Sequence, residues 1–290
     1  MTLVPDYPPA RHLLRDLRLD VEHHSDGSST AWLPVVPDLL DDHGGVRTGA
    51  LATLVDVIGG GLAAHAARPD WIATADLTLH LVDDARAGTV RARARVLRAG
   101  RTTVVLEVAL ATEQAHGGAG ATLGLATMTF GVLPRRDGNP VISDDASRSR
   151  STLALADSGF RRPFIDAVGV RLAERGERRA TVELQPDDYI RNSLGAVQGG
   201  IVATLVESAA REALRDACGA PVVARDLQVT YLALARVGPV RATATALFAT
   251  PRGSTRPFGT AAVDVVDAGN EARLTTTARV VAALPAGAPT

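Results

Sequence analysis

Thr48-Gly49-Ala50-Leu51-Ala52-Thr53-Leu54-Val55-Asp56 returns later in the chain as Gly199-Gly200-Ile201-Val202-Ala203-Thr204-Leu205-Val206-Glu207. The offset from Asp56 to Glu207 is 151 residues. It barely drifts downstream: Ala85-Arg86, Gly88 and Val90-Arg91-Ala92 match Ala235-Arg236, Gly238 and Val240-Arg241-Ala242 at an offset of 150. Solenoid repeats have periods of roughly 20–50 residues, so a repeat this long is a duplicated domain. In the first copy Leu51, Leu54, Val55, Ile58 and Leu62 fall on a 3.6-residue period, which predicts a helix over Gly49–Ala67 with Pro69 as its stop. The second copy predicts a helix over Gly199–Ala217, with Pro221 beyond it.

Around each helix the pattern changes to β. Short strands are expected before it, at Arg18–His23 and Thr30–Val36 and again at Val170–Arg175 and Arg178–Leu184. Four longer ones follow it, at Trp71–Val82, Thr89–Leu97, Thr102–Thr112 and Ala121–Leu133, and then at Val222–Leu234, Val240–Ala249, Phe258–Val266 and Ala272–Ala283. Gly88 and Gly100 separate the first three of these, which suggests an antiparallel meander. A long helix followed by such strands makes an α+β domain whose sheet must wrap the helix to bury it. The expected division is a first domain over 1–134, a polar linker over 135–158 and a second domain over 159–290.

Composition narrows the function classes. The net charge of −1 argues against a nucleic-acid partner. No uninterrupted apolar run reaches the ~18 residues of a membrane span, and Met1–Arg18 lacks the apolar core of a signal peptide. With Cys218 as the sole cysteine, no internal disulfide and no cysteine-based metal site is available. All 31 basic residues are arginine, which removes Schiff-base chemistry and a Walker lysine. A cytoplasmic protein without metal or cofactor is the expectation.

The chemistry should lie on the two helices. Asp56 is the only charge between Gly49 and Ala64. A carboxylate in an apolar helix with no partner at i±3 or i±4 is costly unless used. Glu207 differs: Arg211 stands at i+4 and Arg215 continues the face, which reads as a solvated, salt-bridged stripe. The free N–H groups of a first helical turn form an oxyanion site, and glycines at 199 and 200 would let a carbonyl approach closely. Glu207 lies eight residues further along, about 12 Å at ~1.5 Å per residue. An acid that far from its own helix start serves the other helix better, if the two run side by side in opposite senses. Two composite sites follow: Asp56 with the Gly199 turn, and Glu207 with the Thr48-Gly49 turn.

The run Asn192-Ser193-Leu194-Gly195-Ala196-Val197-Gln198-Gly199-Gly200, with Glu207 beyond it, resembles the signature of PaaI-like hotdog acyl-CoA thioesterases, Asn-x5-His-Gly-Gly-x6-Asp/Glu. The resemblance implies two tandem hotdog domains, an acyl-CoA substrate and association into a homodimer of double-hotdog chains. It assigns Asp56 as nucleophile or water-activating base, the Gly199 N–H as oxyanion donor, Asn192 to orient water or carboxylate, and Thr74 as the assisting hydroxyl. Gln198 replaces the family's histidine. In the second site the same positions read Asp41, Arg47 and Thr48, with Ala224 opposite Thr74, so that site is expected to be degenerate. His43-Gly44-Gly45 imitates the family tripeptide but sits four residues too early, and His43 reads as an exposed loop residue. Arg98, Arg101, Arg252 and Arg256 flank strand turns and are candidates for the CoA phosphates. Two other readings stay open: a non-catalytic acyl-CoA or lipid-binding protein, and a hydratase or dehydratase. The latter generally needs an acid–histidine pair, and neither acid has a histidine near it in sequence.

Overall fold

A computed structural model describes residues 7–113, 119–135 and 150–285. Most of the expected linker, 136–149, lies outside the described residues, as does the tail, 286–290. The first half comprises α1 (Leu13–Asp16), β1 (Asp20–His23), β2 (Ser29–Pro34), α2 (Thr48–Ala66), β3 (Trp71–Leu81), β4 (Thr89–Ala99), β5 (Thr103–Glu113) and β6 (Ala119–Leu133). A short β7 (Ser151–Thr152) leads to the second half: α3 (Phe164–Ala167), β8 (Arg171–Gly176), β9 (Arg179–Leu184), α4 (Gly199–Cys218), β10 (Val223–Tyr231), β11 (Val240–Ala249), β12 (Phe258–Asp267) and β13 (Arg273–Ala283).

All strands join one antiparallel sheet in the order β7-β1-β2-β4-β5-β6-β3-β10-β13-β12-β11-β9-β8. Apart from β7, the second half mirrors the first about the β3–β10 seam, where Leu77 pairs with Val229 and Asp226 with His80. The expected meander holds for β4-β5-β6, but β3 pairs with β6 rather than with β4. The space beside β4 belongs to β2, which extends the sheet around the helix, and β3 is thereby freed to form the seam. The linker also ends differently from expectation. Ser151 and Thr152 pair with Val21 and Asp20 on the outer edge of the first half, and Arg150 lies over the Trp32 ring.

α2 is wrapped by β2–β6, and Leu51, Leu54, Val55, Ile58 and Leu62 are all buried against them. Each such burial contributes roughly 1.5–3 kcal/mol. By length and composition alone α2 could cross a bilayer, but here it is the core of its half. α4 occupies the same place against β9–β13. The two helices touch each other directly. A Cβ on Gly49 would lie 2.7 Å from Thr204 Oγ1, and one on Gly200 would lie 2.3 Å from Thr53 Cα. Since Gly49 meets Thr204 while Thr53 meets Gly200, the helices run antiparallel, as the spacing of acid and helix start requires. Thr53 and Thr204 each donate their hydroxyl to the glycine carbonyl one turn back, both at 2.9 Å.

The glycines of the run 59–61 are not equivalent. A Cβ on Gly59 would strike Met128 Sδ at 2.8 Å, so that glycine serves core packing rather than the approach of a ligand or another backbone. Gly61 faces open space. Gly200→Ala is therefore expected to force the helices apart and destabilise the fold by about 1–3 kcal/mol or more. Gly61→Ala should instead stabilise it by up to ~1 kcal/mol through helix propensity. Urea denaturation of the two variants checks both signs.

Candidate active site

The antiparallel pairing delivers Asp56 to the first turn of α4. Its Oδ2 accepts the Gly200 N–H at 2.9 Å, and its Oδ1 accepts the Thr74 hydroxyl at 3.1 Å. Thr74 stands at a break in β3 register, where the pairing with β6 skips from Phe130–Thr74 to Thr129–Asp76. A Cβ on Gly199 would come within 2.9 Å of Asp56 Oδ1, so a side chain here would push the carboxylate from its place. The Gly199 N–H has no acceptor among the described residues. Its carbonyl accepts the Tyr231 hydroxyl at 2.8 Å.

Asp56 is half-buried and has no cation within ion-pair distance among the described residues. Burial pushes its carboxyl above the ordinary range, against the lowering effect of the Gly200 N–H and the Thr74 hydroxyl. The Tyr231 phenol is driven strongly upward, first by burial and then by the charges of Asp56 and Asp76, so it stays a proton donor. Gln198 is buried, and its Nε2 donates to Tyr7 Oη at 2.7 Å while its Oε1 has no partner. Tyr7 is itself shifted upward, chiefly by burial. Its ring packs edge-on to His12, whose Nε2 contacts the Arg191 carbonyl at 2.9 Å. Through these contacts the N-terminal segment covers the loop before α4.

Asn192 is near in sequence but differently employed. Its Oδ1 accepts the N–H groups of Leu194 and Ala196 at 2.9 and 3.1 Å, and so holds that loop. Asp41 does the same in the first half, accepting from His43 and Gly45 at 2.8 and 3.3 Å. Matching bridges, Leu40–Val46 and Arg191–Val197, place Arg47 opposite Gln198 as the sequence register implies.

The second acid is in another state. Glu207 is only 1% exposed, so its pair with Arg211 is not the solvated stripe expected from sequence. Arg211 Nη1 lies 3.4 Å from Glu207 Oε1 and Arg47 Nη1 lies 3.6 Å from Oε2. For Arg211, burial lowers the pKa but Glu207, Asp41 and Asp42 more than reverse it. Thr48 turns its hydroxyl to the Ala224 carbonyl, at 2.8 Å. His43 is half-buried rather than exposed, with Nε2 buried and unpartnered.

Arg98 and Arg101 are exposed on the β4–β5 turn, at the Thr74 end of the sheet, where Thr103 pairs with Gly131 and Gly131 with Ala73. Arg252 and Arg256 occupy the matching β11–β12 turn, at the Ala224 end of the sheet, where Gly259 pairs with Ala282 and Ala282 with Ala224. Arg252 is engaged with Asp216, donating to its carbonyl at 3.0 Å. Sequence reasoning missed Gly200 as the donor to Asp56, and also Tyr7 and Tyr231. No motif marks either tyrosine. Among the described residues no group of acids, histidines or cysteines could hold a metal.

Two wrapped helices sharing one sheet, with an acid of one set on the first turn of the other, define a double hotdog. Residues 43–119 and 194–252 match the model of the Thioesterase superfamily, one segment in each half. Acyl-coenzyme A thioesterase 13 of Mus musculus is 34% identical over 84 residues, covering 27% of this chain. The chain spans 59% of the length of that curated relative. A structure from Novosphingobium aromaticivorans, described as that of a thioesterase candidate, aligns at 18% identity with a TM-score of 0.60, covering 91% of this chain and 98% of that one. A hotdog protein of Alicyclobacillus acidocaldarius aligns at 15% identity and a TM-score of 0.58, over 90% and 94%.

The upward shift of Asp56 has a consequence for stability. A carboxyl whose folded pKa is raised favours folding while protonated, and that contribution is lost as pH rises through the raised value. Asp56→Asn removes the penalty and keeps an oxygen for the Gly200 N–H. Its melting temperature should exceed that of wild type at neutral pH, and the difference should shrink on acidification, as followed by thermal melts across pH.

Proposed function

We propose that the chain hydrolyses acyl-CoA thioesters at one composite site, with Asp56 from the first half and the α4 turn from the second. One contrast carries this reading: Asp56 is only partly buried and free of cations beside an unclaimed N–H at Gly199, whereas Glu207 is buried between Arg47 and Arg211. The relative described as an acyl-coenzyme A thioesterase supports the substrate class.

In this reading the ionised Asp56 takes a proton from water, and the resulting hydroxide attacks the thioester carbonyl. Attack by the carboxylate itself, through an anhydride that water then opens, fits the same geometry. The developing oxyanion is held by the Gly199 N–H and the positive end of α4. Collapse expels the CoA thiolate, which takes a proton. Gln198 and Tyr7 border the carbonyl site, and Asn192 keeps its loop in register. Arg98 and Arg101, at the Thr74 end of the sheet, are the better placed of the four arginines to meet CoA phosphates. The boundaries at 134 and 159, a cytoplasmic setting and a homodimer of chains belong to the same proposal.

Loss of a general base or nucleophile costs roughly 10²–10⁴-fold in rate. Asp56→Asn should fall in that range, and Glu207→Gln should keep turnover within a few-fold of wild type. An assay over short, long and aromatic acyl-CoAs measures both; equal losses would rule out the one-site model. The unpartnered Oε1 of Gln198, where the family has histidine, favours a second reading of binding without hydrolysis. Acyl-CoA recovered intact after hours with the protein would establish it.

A further inference from the structure

A cavity lies where the second half's helix passes its outer strands and meets the first-half loop that carries Asp42, His43 and Arg47. It measures about 340 Å³, at the lower end of the roughly 300–1,000 Å³ typical of small-molecule sites. Val170, Leu172, Val182 and Val222 supply aliphatic lining. His43, Arg47, Arg211 and Arg215 supply polar lining, together with Ser208 and the acids Asp42 and Glu212.

Hydrogen-bond accounting shows which of these groups is unspent. The nearby acids are engaged: Glu207 by Arg47 and Arg211, Asp41 by its own loop N–H groups, and Glu212 by Arg175. The donors are not used up. Arg47 reaches Glu207 only at 3.6 Å, beyond hydrogen-bond length, and Arg211 makes its three ion-pair contacts at 3.4–4.0 Å. Arg215 has no ion pair or hydrogen bond among the described residues, and His43 Nε2 is buried without a partner. A guanidinium carries five N–H donors in a fork that matches a carboxylate.

The corresponding face of α2 lacks these charged groups. At the positions of Arg211 and Glu212 it has Gly60 and Gly61, where an added Cβ would meet only Phe130, at 3.8 Å, and nothing at all. Arg211 and Arg215 are therefore a property of the second copy, while His43 and Arg47 reach the cavity from the loop before α2 in the first.

We infer that this cavity binds an organic monocarboxylate, with its carboxylate on the arginine and His43 side and a compact aliphatic or aromatic body against the valines. A bare inorganic anion would leave the aliphatic lining wet, and an uncharged acyl chain would leave the donors unpaired. The inference does not require Asp56 to hydrolyse anything.

Calorimetric titration of the full chain with octanoate and with phenylacetate tests it, with inorganic phosphate and free CoA as comparison ligands. One saturable site per chain is expected for at least one acid. Its affinity should be unchanged in Asp56→Asn, weakened ten-fold or more in Arg215→Gln, and lost in Val170→Trp, which fills the cavity. Melting curves establish that each variant is folded; if Val170→Trp is not, Arg215→Gln decides. The inference is overturned by no saturable binding of either acid, by binding that disappears in Asp56→Asn but survives Arg215→Gln, or by a site that takes phosphate or CoA and excludes both acids.

Discussion

The fold depends on two glycines that let the helices touch. Gly49 against Thr204 and Gly200 against Thr53 bring backbone against backbone at the centre of the molecule. Side chains there would hold the axes further apart. Asp56 could not then reach the Gly200 N–H, and β3 would have to part from β10, because each strand is packed against its own helix. The contact that closes the hydrophobic core is also the one that assembles the polar site.

Around that contact the two halves have diverged in how they treat a buried acid. The first half leaves Asp56 with a hydroxyl and a peptide N–H, which favour ionisation less than a cation would, so burial prevails and the carboxyl stays above its ordinary range. The second half gives Glu207 two guanidinium groups. A carboxylate held in that way is a structural element, since removing one partner of a buried ion pair typically costs several kcal/mol. Gly60 at the position equivalent to Arg211, and Gln198 at that of Arg47, are the differences that leave Asp56 without the cations that hold Glu207.

Much of this could be read from the chain. Apolar periodicity and the repeat located both long helices to within about a residue, and the lone charge in the first helix singled out Asp56. The eight-residue spacing from Gly199 to Glu207 required antiparallel helices. Other features were hidden for identifiable reasons. Strand order is non-local, and nothing in Val82–Gly88 says that β3 will pair with β6 instead of its sequence neighbour. An i,i+4 Glu–Arg pair looks the same on a solvated face as in a buried one, and only Arg47, arriving from the other half, distinguishes them. Tyr231 is one aromatic residue at a strand end, without a spacing rule that points to Gly199.

That tyrosine links the second half's sheet to the first half's acid through a single peptide group. Tyr231 donates to the oxygen of the Gly199–Gly200 amide, whose nitrogen donates to Asp56. Hydrogen bonds in series polarise one another, so an amide pulled at its oxygen gives up more of its hydrogen. The phenol thus acts on the carboxylate across an intervening amide, drawing charge along the chain Tyr231, Gly199, Gly200, Asp56. A strand of one half and an acid on the helix of the other are in this way joined through a single backbone amide.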